Sequence, residues 1–180
     1  MPNEKDISKM KELIKKAIKK LKKEDEKLFG IIEETETLPL CVRKAYEVCI
    51  NHRFAVYIEK FIKKYFPDGY NVDIEFNRNF KSKEDIEKQI IIDGNIRNVR
   101  PDIIVHKRSQ ELDESTNLLV IEAKIERNSE YDKEKIKELL KNDDFNYMFG
   151  LIIRYKYLDE AVLYYLEDKK IKDTTLYDKQ

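Results

Sequence analysis

Two short stretches of the chain place acidic and basic side chains where they can do hydrolytic chemistry. Pro101-Asp102 leads into one apolar run, and Glu122-Ala123-Lys124 ends another, with 19 residues between Asp102 and Glu122. Because side chains alternate along a strand, Glu122 and Lys124 point to one face and Ala123 to the other. A carboxylate and an ammonium in a buried strand are costly unless they meet a metal, a substrate or each other.

Two neighbouring strands would bring the acids together. If the strands form a hairpin, Asp102 lies at the same end of the sheet as Glu122. Two carboxylates at one place suit Mg²⁺, whose octahedral oxygen shell is completed by water. Lys124 can then orient or deprotonate a metal-bound water, or stabilise charge on a phosphate under attack. These residues therefore predict phosphodiester hydrolysis that depends on Mg²⁺ or Mn²⁺.

Hydrophobic periodicity predicts the elements that position these residues. The predicted helices cover 4–27, 39–66 and 130–141, and the predicted strands cover 70–79, 89–92, 102–107, 117–125, 147–155 and 161–166. The last strand has a helical alternative, and most of 80–99 has no clear assignment. Polar segments 33–37 and 108–116 connect elements. The order indicates an α/β or α+β fold in which helices flank a mixed sheet and helix 130–141 is a crossover.

The first helix is basic, although the chain as a whole is neutral. It carries ten lysines against six acids over 4–27, whereas the full sequence has 36 of each charge. One interpretation is a solvated helix that packs an Ile/Leu stripe on the rest of the protein, and the other is an arm that contacts phosphates. The two are compatible. We expect this helix to occupy residues 1–30 and the main domain to occupy residues 31–180.

Composition excludes several classes of function. With 180 residues, 41% of them hydrophobic and 40% charged, the chain can build one core under a dense ionic surface. It lacks both an apolar run of membrane-spanning length and a secretion core, so we expect a soluble, cytoplasmic protein without a membrane partner. Two histidines and the widely spaced Cys41 and Cys49 offer almost no zinc ligands. Without Gly-rich phosphate loops, nucleotide hydrolysis and dinucleotide redox chemistry are also disfavoured.

The pattern Pro101-Asp102 followed by Glu122-Ala123-Lys124 resembles the PD-(D/E)XK motif of the restriction-endonuclease-like nucleases. The predicted element order resembles the αβββαβ core of that superfamily over roughly residues 39–167, with the first helix outside it. The resemblance implies that Asp102 and Glu122 bind the metal and that the Ala123 carbonyl supplies another ligand. It also implies that Lys124 positions or activates the attacking water.

A second resemblance points to a small, largely uncharacterised prokaryotic group within the same superfamily. It rests on Glu47, the stretches 51–59 and 66–68, and the acidic-aromatic-Asn-Arg step within 73–78. Members of the group tend to have Thr and Leu where this chain has Asn51 and Phe54. The resemblance implies that Glu47 is an extra helix acid that contributes to the metal site directly or through water.

Each of these residues also has a structural interpretation. Asp102, Glu122 and Lys124 can form a salt-bridged strand pair without catalysis, as in members that keep the fold for binding alone. Glu47 can pair with an arginine on its own helix, at position 43 or 53.

The candidate nucleic-acid contacts have comparable alternatives. His52 is either a core histidine or a group near the scissile phosphate, and Arg53 either contacts substrate or stacks on Tyr57. Arg78 ends a strand where substrate or solvent would lie. Three lysines of the first helix are further candidates for phosphate contact: Lys16, Lys20 and Lys23.

Taken together, the residues predict a metal-dependent nuclease, of endonuclease type, that hydrolyses phosphodiester bonds in DNA. The alternatives are a catalytically silent nucleic-acid-binding or regulatory module on the same fold, and an interaction protein that docks its first helix on a partner. Cutting both strands with one such site per chain would require a homodimer or sequential nicking. DNA and RNA are not distinguished, and no sequence-reading motif is evident.

Overall fold

The computed structural model describes residues 1–33, 37–79, 86–108, 116–127 and 129–177. No helix in these ranges combines the length and apolarity that crossing a bilayer requires. The helices are α1 (Glu4–Glu24), α2 (Glu26–Glu33), α3 (Leu40–Tyr65) and α4 (Glu130–Lys141), with a 3₁₀ segment at Tyr155–Glu160. The strands are β1 (Asn71–Ile74), β2 (Arg78–Asn79), β3 (Ile86–Glu87), β4 (Gln89–Ile92), β5 (Asn95–Asn98), β6 (Ile103–His106), β7 (Asn117–Lys124), β8 (Phe149–Arg154), β9 (Val162–Glu167) and β10 (Lys170–Thr175).

Six strands form one mixed sheet in the order β1-β6-β7-β8-β9-β10. Neighbouring strands are antiparallel except for the central pair, β7 and β8, which run parallel. A parallel pair needs a crossover connection, and α4 provides it. The predicted mixed α/β architecture and the crossover role of helix 130–141 are therefore confirmed. Two separate ribbons, β2–β3 and β4–β5, lie between β1 and β6 in the chain.

Helices α1 and α3 cover one face of the sheet. A capping box between Asn3 and Asp6 starts α1, and its apolar stripe is buried in the same core as α3 and the sheet. The stripe consists of Met10, Leu13, Ile14, Ala17, Ile18 and Leu21. The packed-helix interpretation of the first segment is thus what the structure shows, and the lysines lie on its remaining faces.

Helix α4 and the β4–β5 ribbon cover the other face. Ile136 and Leu139 of α4 share a second apolar cluster with Ile90 and Ile92 of the ribbon and with Val120 of β7. Strand β7 is consequently covered on both sides, and seven of its eight residues are buried. This double coverage explains why its sequence is a continuous apolar run.

Several predicted elements differ in extent from those of the structure. The first helix breaks at Asp25, so that α2 starts as a separate helix. The predicted strand 70–79 stops after Ile74, because Glu75 adopts a left-handed conformation with φ of 50°. The segment after Ala161 is a strand and not a helix. Most of the predicted connectors 33–37 and 108–116 lies outside the described residues.

Strands β5 and β10 have no strand pattern in the sequence. Strand β5 has one apolar residue, Ile96, and all four of its residues are exposed, so it shows no alternation, although the Asp93-Gly94 turn before it is a clear turn signal. Strand β10 follows a two-residue turn, Asp168-Lys169, with positive φ at both positions. Such hairpin turns usually carry glycine, and this one gives no such signal.

The close packing of α4 on β8 predicts the effect of Gly150→Ala. A Cβ at position 150 would overlap Ile136 Cγ2 and lie 3.3 Å from Leu140 Cδ1. We expect the substitution to lower the free energy of unfolding by about 1–3 kcal/mol, because overpacking forces the helix to shift. Urea denaturation measures this. Gly30→Ala is the control, since its Cβ meets no atom within 4 Å and helical alanine is favoured over glycine. Equal stability of the two variants would contradict the prediction.

Candidate functional site

Asp102 and Glu122 lie side by side at one end of the sheet. Strands β6 and β7 are antiparallel, with Ile103 opposite Ile121, which puts the preceding Asp102 at the level of Glu122. The Asp102 carboxylate accepts a 2.8 Å hydrogen bond from the Ala123 N–H. Its backbone carbonyl accepts another, of 3.0 Å, from the N–H of Glu75. Both neighbouring strands therefore fix the position of Asp102.

Lys124 connects Asp102 to α3. Its Nζ lies 3.3 Å from Asp102 Oδ2 and 3.4 Å from Glu47 Oε1. The other Glu47 oxygen accepts a 3.3 Å hydrogen bond from the Ile125 N–H. Glu47 is thus held at the end of β7 by a side chain and a backbone group. It pairs with Lys124, whereas Arg53, one of its two predicted partners, pairs with Asp25.

Glu122 pairs with a different lysine. Its side chain is only 2% exposed, and Lys135 Nζ of α4 lies 2.7 Å from its Oε1. Lys135 also donates a 3.0 Å hydrogen bond to the backbone carbonyl of Arg100. Lys135 was not predicted as a site residue. Its signal is a lysine on the apolar stripe of α4, next to Ile136 and one turn before Leu139.

Burial and charge act in opposite directions on the ionisable groups of the site. Burial raises the pKa of Glu47, and Lys124 opposes this shift. Burial raises the pKa of Glu122 to about 8, against the opposing charge of Lys135. Burial by itself lowers the pKa of Lys124, but the carboxylates of Asp102, Glu47 and Glu122 outweigh it and raise that pKa. Lys124 therefore stays protonated at neutral pH.

A buried hydrogen bond holds the turn of α3 that carries Glu47. The Tyr155 hydroxyl, at the end of β8, donates a 2.7 Å hydrogen bond to Asn51 Oδ1. Asn51 lies one helical turn after Glu47, and the Tyr155 ring packs edge-on against Phe54. This contact ties the α3 turn that carries Glu47 to the central strands.

The donors at this site have the chemistry that a hard divalent cation prefers. Carboxylate oxygens of Glu47 and Asp102 already converge on one cationic atom, Lys124 Nζ. Three carboxylates face two ammonium groups, which leaves a surplus of negative charge when all are ionised. Within the described ranges, however, no three Asp, Glu, His or Cys side chains form a group that could hold a metal ion.

The other predicted site residues lie elsewhere or have other contacts. His52 is exposed, so its interpretation as a core histidine is wrong. Arg53 binds Asp25 and stacks on Tyr57, with Cζ 5.1 Å from the ring centroid, which confirms the stacking alternative. Arg78 is exposed on β2, and its carbonyl accepts a 2.9 Å hydrogen bond from Lys88.

The three candidate lysines of α1 lie at the surface, where their contacts are weak. Lys16 Nζ lies 5.1 Å from the centroid of the Tyr65 ring. Lys20 pairs with Glu24 at 2.7 Å, and Lys23 is exposed. Exposed pairs of this kind contribute little to stability and leave the lysines available to other anions.

A second polar cluster lies farther along β6. The Nε2 atom of buried His106 lies 2.7 Å from Asp73 Oδ2, and Arg108 binds the same carboxylate through Nη2 at 2.5 Å. The buried Lys88 lies near this carboxylate, and burial lowers the pKa of its ammonium to about 8. The cluster joins β1, β6 and the ribbons, and sequence analysis did not identify it.

Comparisons with known proteins provide no family assignment. No protein-family model matches the chain, and no curated protein matches it at a significant level.

Glu122→Gln tests the burial of this carboxyl through the pH dependence of stability. The folded-state pKa of about 8 exceeds the unfolded value near 4.5, so the folded protein binds this proton more tightly. The resulting stabilisation is fully present below about pH 4.5 and is lost as pH rises towards 8. The variant has no such pH-dependent decline. Relative to wild type it should therefore gain about 1 kcal/mol or more between pH 5 and pH 8, since one pKa unit is worth ~1.4 kcal/mol.

Urea unfolding at several pH values between 5 and 8 measures this difference. Glu167→Gln is the matched control, because the Glu167 side chain is 58% exposed. Parallel stability curves for wild type and Glu122→Gln would show that the carboxyl does not titrate in this range.

Proposed function

We propose that the protein is a metal-dependent nuclease of the PD-(D/E)XK superfamily that hydrolyses phosphodiester bonds in DNA. One observation carries the proposal. Glu47 and Asp102, which are 55 positions apart in the chain, converge on Lys124 at the end of the strand that also carries Glu122. These are the four residues that the resemblance selected from sequence, and a purely accidental motif gives no reason for them to meet.

The topology supports the same proposal. In chain order, α3, β1, β6, β7, α4 and β8 follow the pattern helix, three strands, helix, strand. The three strands are spatial neighbours, and α4 then returns the chain to β8 beside β7. The ribbons β2–β3 and β4–β5 are additions between the first and second of these strands. The proposed core is therefore compatible with the αβββαβ order.

Asp102, Glu122 and Glu47 would hold the metal, together with the Ala123 carbonyl. In a strand the N–H and C=O of one residue point to the same edge. Since the Ala123 N–H points to Asp102, its carbonyl lies on the same side. When bound there, Mg²⁺ or Mn²⁺ supplies Lewis-acid stabilisation of the attacked phosphate.

Lys124 has a role that follows from its charge. Because neighbouring carboxylates raise its pKa, it holds its proton at neutral pH and cannot serve as a general base. Its side chain is 28% exposed, so its ammonium can orient a water and stabilise negative charge that develops on phosphate oxygens.

A silent nucleic-acid-binding module on the same fold is the second candidate function. The observation that favours it is that Glu47, Asp102 and Glu122 each already contact an ammonium group. Such a module would bind DNA with salt-sensitive affinity and leave it intact with any divalent metal.

Cleavage assays decide between the two functions. We expect Mg²⁺- or Mn²⁺-dependent cleavage of labelled duplex, single-stranded or branched DNA by wild type. Asp102→Asn and Lys124→Met should reduce the rate at least ~100-fold, the usual effect of removing a preorganised charge from a transition state. Asp173→Asn, at an exposed position of β10, should cleave normally. Salt-sensitive DNA binding without cleavage would favour the silent module, and the absence of both would contradict both functions.

The α1 lysines predict a separate effect on DNA affinity. The triple variant Lys16→Gln, Lys20→Gln, Lys23→Gln tests this. The plot of the log of the DNA-binding constant against log salt concentration should become shallower, its slope losing about 0.9 in magnitude for each phosphate that the helix no longer neutralises. Fluorescence anisotropy at several salt concentrations measures the slope. A triple exchange of Lys169, Lys170 and Lys172 to Gln removes the same charge from the β9–β10 hairpin and should leave the slope unchanged. Identical slopes for the two triple variants would exclude α1 as a phosphate-binding surface.

A further inference from the structure

Lys135 is a buried lysine that the proposed chemistry does not yet use. The residue is 7% exposed and lies on the face of α4 that packs Ile136 and Leu139 against the sheet. An ammonium at such a place costs free energy unless it is paired and hydrogen-bonded. Its two contacts, at 2.7 Å and 3.0 Å, satisfy this requirement.

Both contacts of Lys135 lead to the acids of the candidate site. One is the carboxylate of Glu122 itself, and the other is the carbonyl of Arg100, two residues before Asp102. Asp102 in turn accepts a hydrogen bond from the Ala123 N–H, next to Glu122. The two segments that carry the acids are thus joined twice, once directly and once through α4.

The two lysines of the site have different surroundings. The Lys124 side chain is 28% exposed and contacts the carboxylates of Glu47 and Asp102. The Lys135 side chain is 9% exposed and contacts Glu122 from the α4 side. Lys124 can therefore reach a substrate, whereas Lys135 acts through the carboxylate that it holds.

We propose that Lys135 is a positioning residue, which holds the Glu122 carboxylate and the backbone before Asp102 in the arrangement that receives a divalent cation. The role rests on the proposed function. Without Lys135, Glu122 is a buried carboxylate with no nearby counter-charge from α4, and such a group turns away or repacks. The metal site then lacks one of its ligands even though Glu122 is still present.

A double-mutant cycle on metal affinity tests this role. Calorimetry with Mn²⁺ alone compares wild type, Lys135→Met, Glu122→Gln and the double variant. We expect Lys135→Met to weaken Mn²⁺ binding at least tenfold in the wild-type background and less than twofold in the Glu122→Gln background. Lys141→Met removes a surface lysine from the same helix and should bind Mn²⁺ like wild type.

If wild type binds Mn²⁺, two results would overturn the positioning role of Lys135. One is wild-type affinity in folded Lys135→Met, and the other is an equal weakening in both backgrounds, which would mean that Lys135 does not act through Glu122. A folded wild-type protein that binds no Mn²⁺ and cleaves no DNA would instead refute the proposed function, and this role with it.

A second substitution covers the case in which Lys135→Met does not fold. Lys135→Gln keeps a donor for the Arg100 carbonyl and enters the same cycle in its place. If this variant is also unfolded, the double variant Glu122→Gln, Lys135→Gln decides by circular dichroism. Recovery of a folded chain would support coupling through Glu122, and continued failure to fold would overturn it.

Discussion

The buried carboxylate of Glu122, in the central sheet, constrains how the neighbouring helix packs. Glu122 lies in a strand covered on both faces, where an unpaired charge would cost several kcal/mol. Lys135 supplies the counter-charge, and because it comes from α4, the ion pair also fixes the register of that helix on the sheet. The absence of a side chain at Gly150 lets Ile136 of α4 approach β8 closely. Site and core therefore both depend on the packing of α4 against the sheet.

The electrostatics of the site depend on where its two ammonium groups lie. The ammonium of Lys135 is buried next to Glu122, and the ammonium of Lys124 is partly exposed between Glu47 and Asp102. When all three carboxyl groups are ionised, the site has a surplus of negative charge that attracts a divalent cation, and the partly exposed ammonium of Lys124 can contact a phosphate. Without metal, the same side chains form two sets of salt bridges, Glu122 with Lys135 and Lys124 with Glu47 and Asp102. The two proposed functions therefore differ in whether a divalent cation can displace the lysines from these carboxylates.

Local patterns were sufficient for most of the central fold. The bounds of α4 agree with those predicted, and the apolar run of β7 correctly indicated a strand covered on both sides. Prediction from the sequence failed for elements whose conformation has no local sequence pattern. The break at Asp25 allows its carboxylate to bind Arg53, 28 positions away, and β10 pairs after a turn without glycine. Contacts of this range depend on how helices and strands pack, which periodicity does not encode.

The sequence by itself determined that Glu122 and Lys124 lie on one face of a strand, because side chains alternate. It placed Asp102 at the same end of the sheet on the condition that the two strands form a hairpin. Only the tertiary structure decided which charges meet. Glu122 and Lys124 do not pair with each other: one meets Lys135 and the other meets Glu47 and Asp102. The choice depends on the packing of helices on opposite faces of the sheet. A long side chain pairs with whichever carboxylate that packing brings within about 3 Å, and sequence spacing carries no such information.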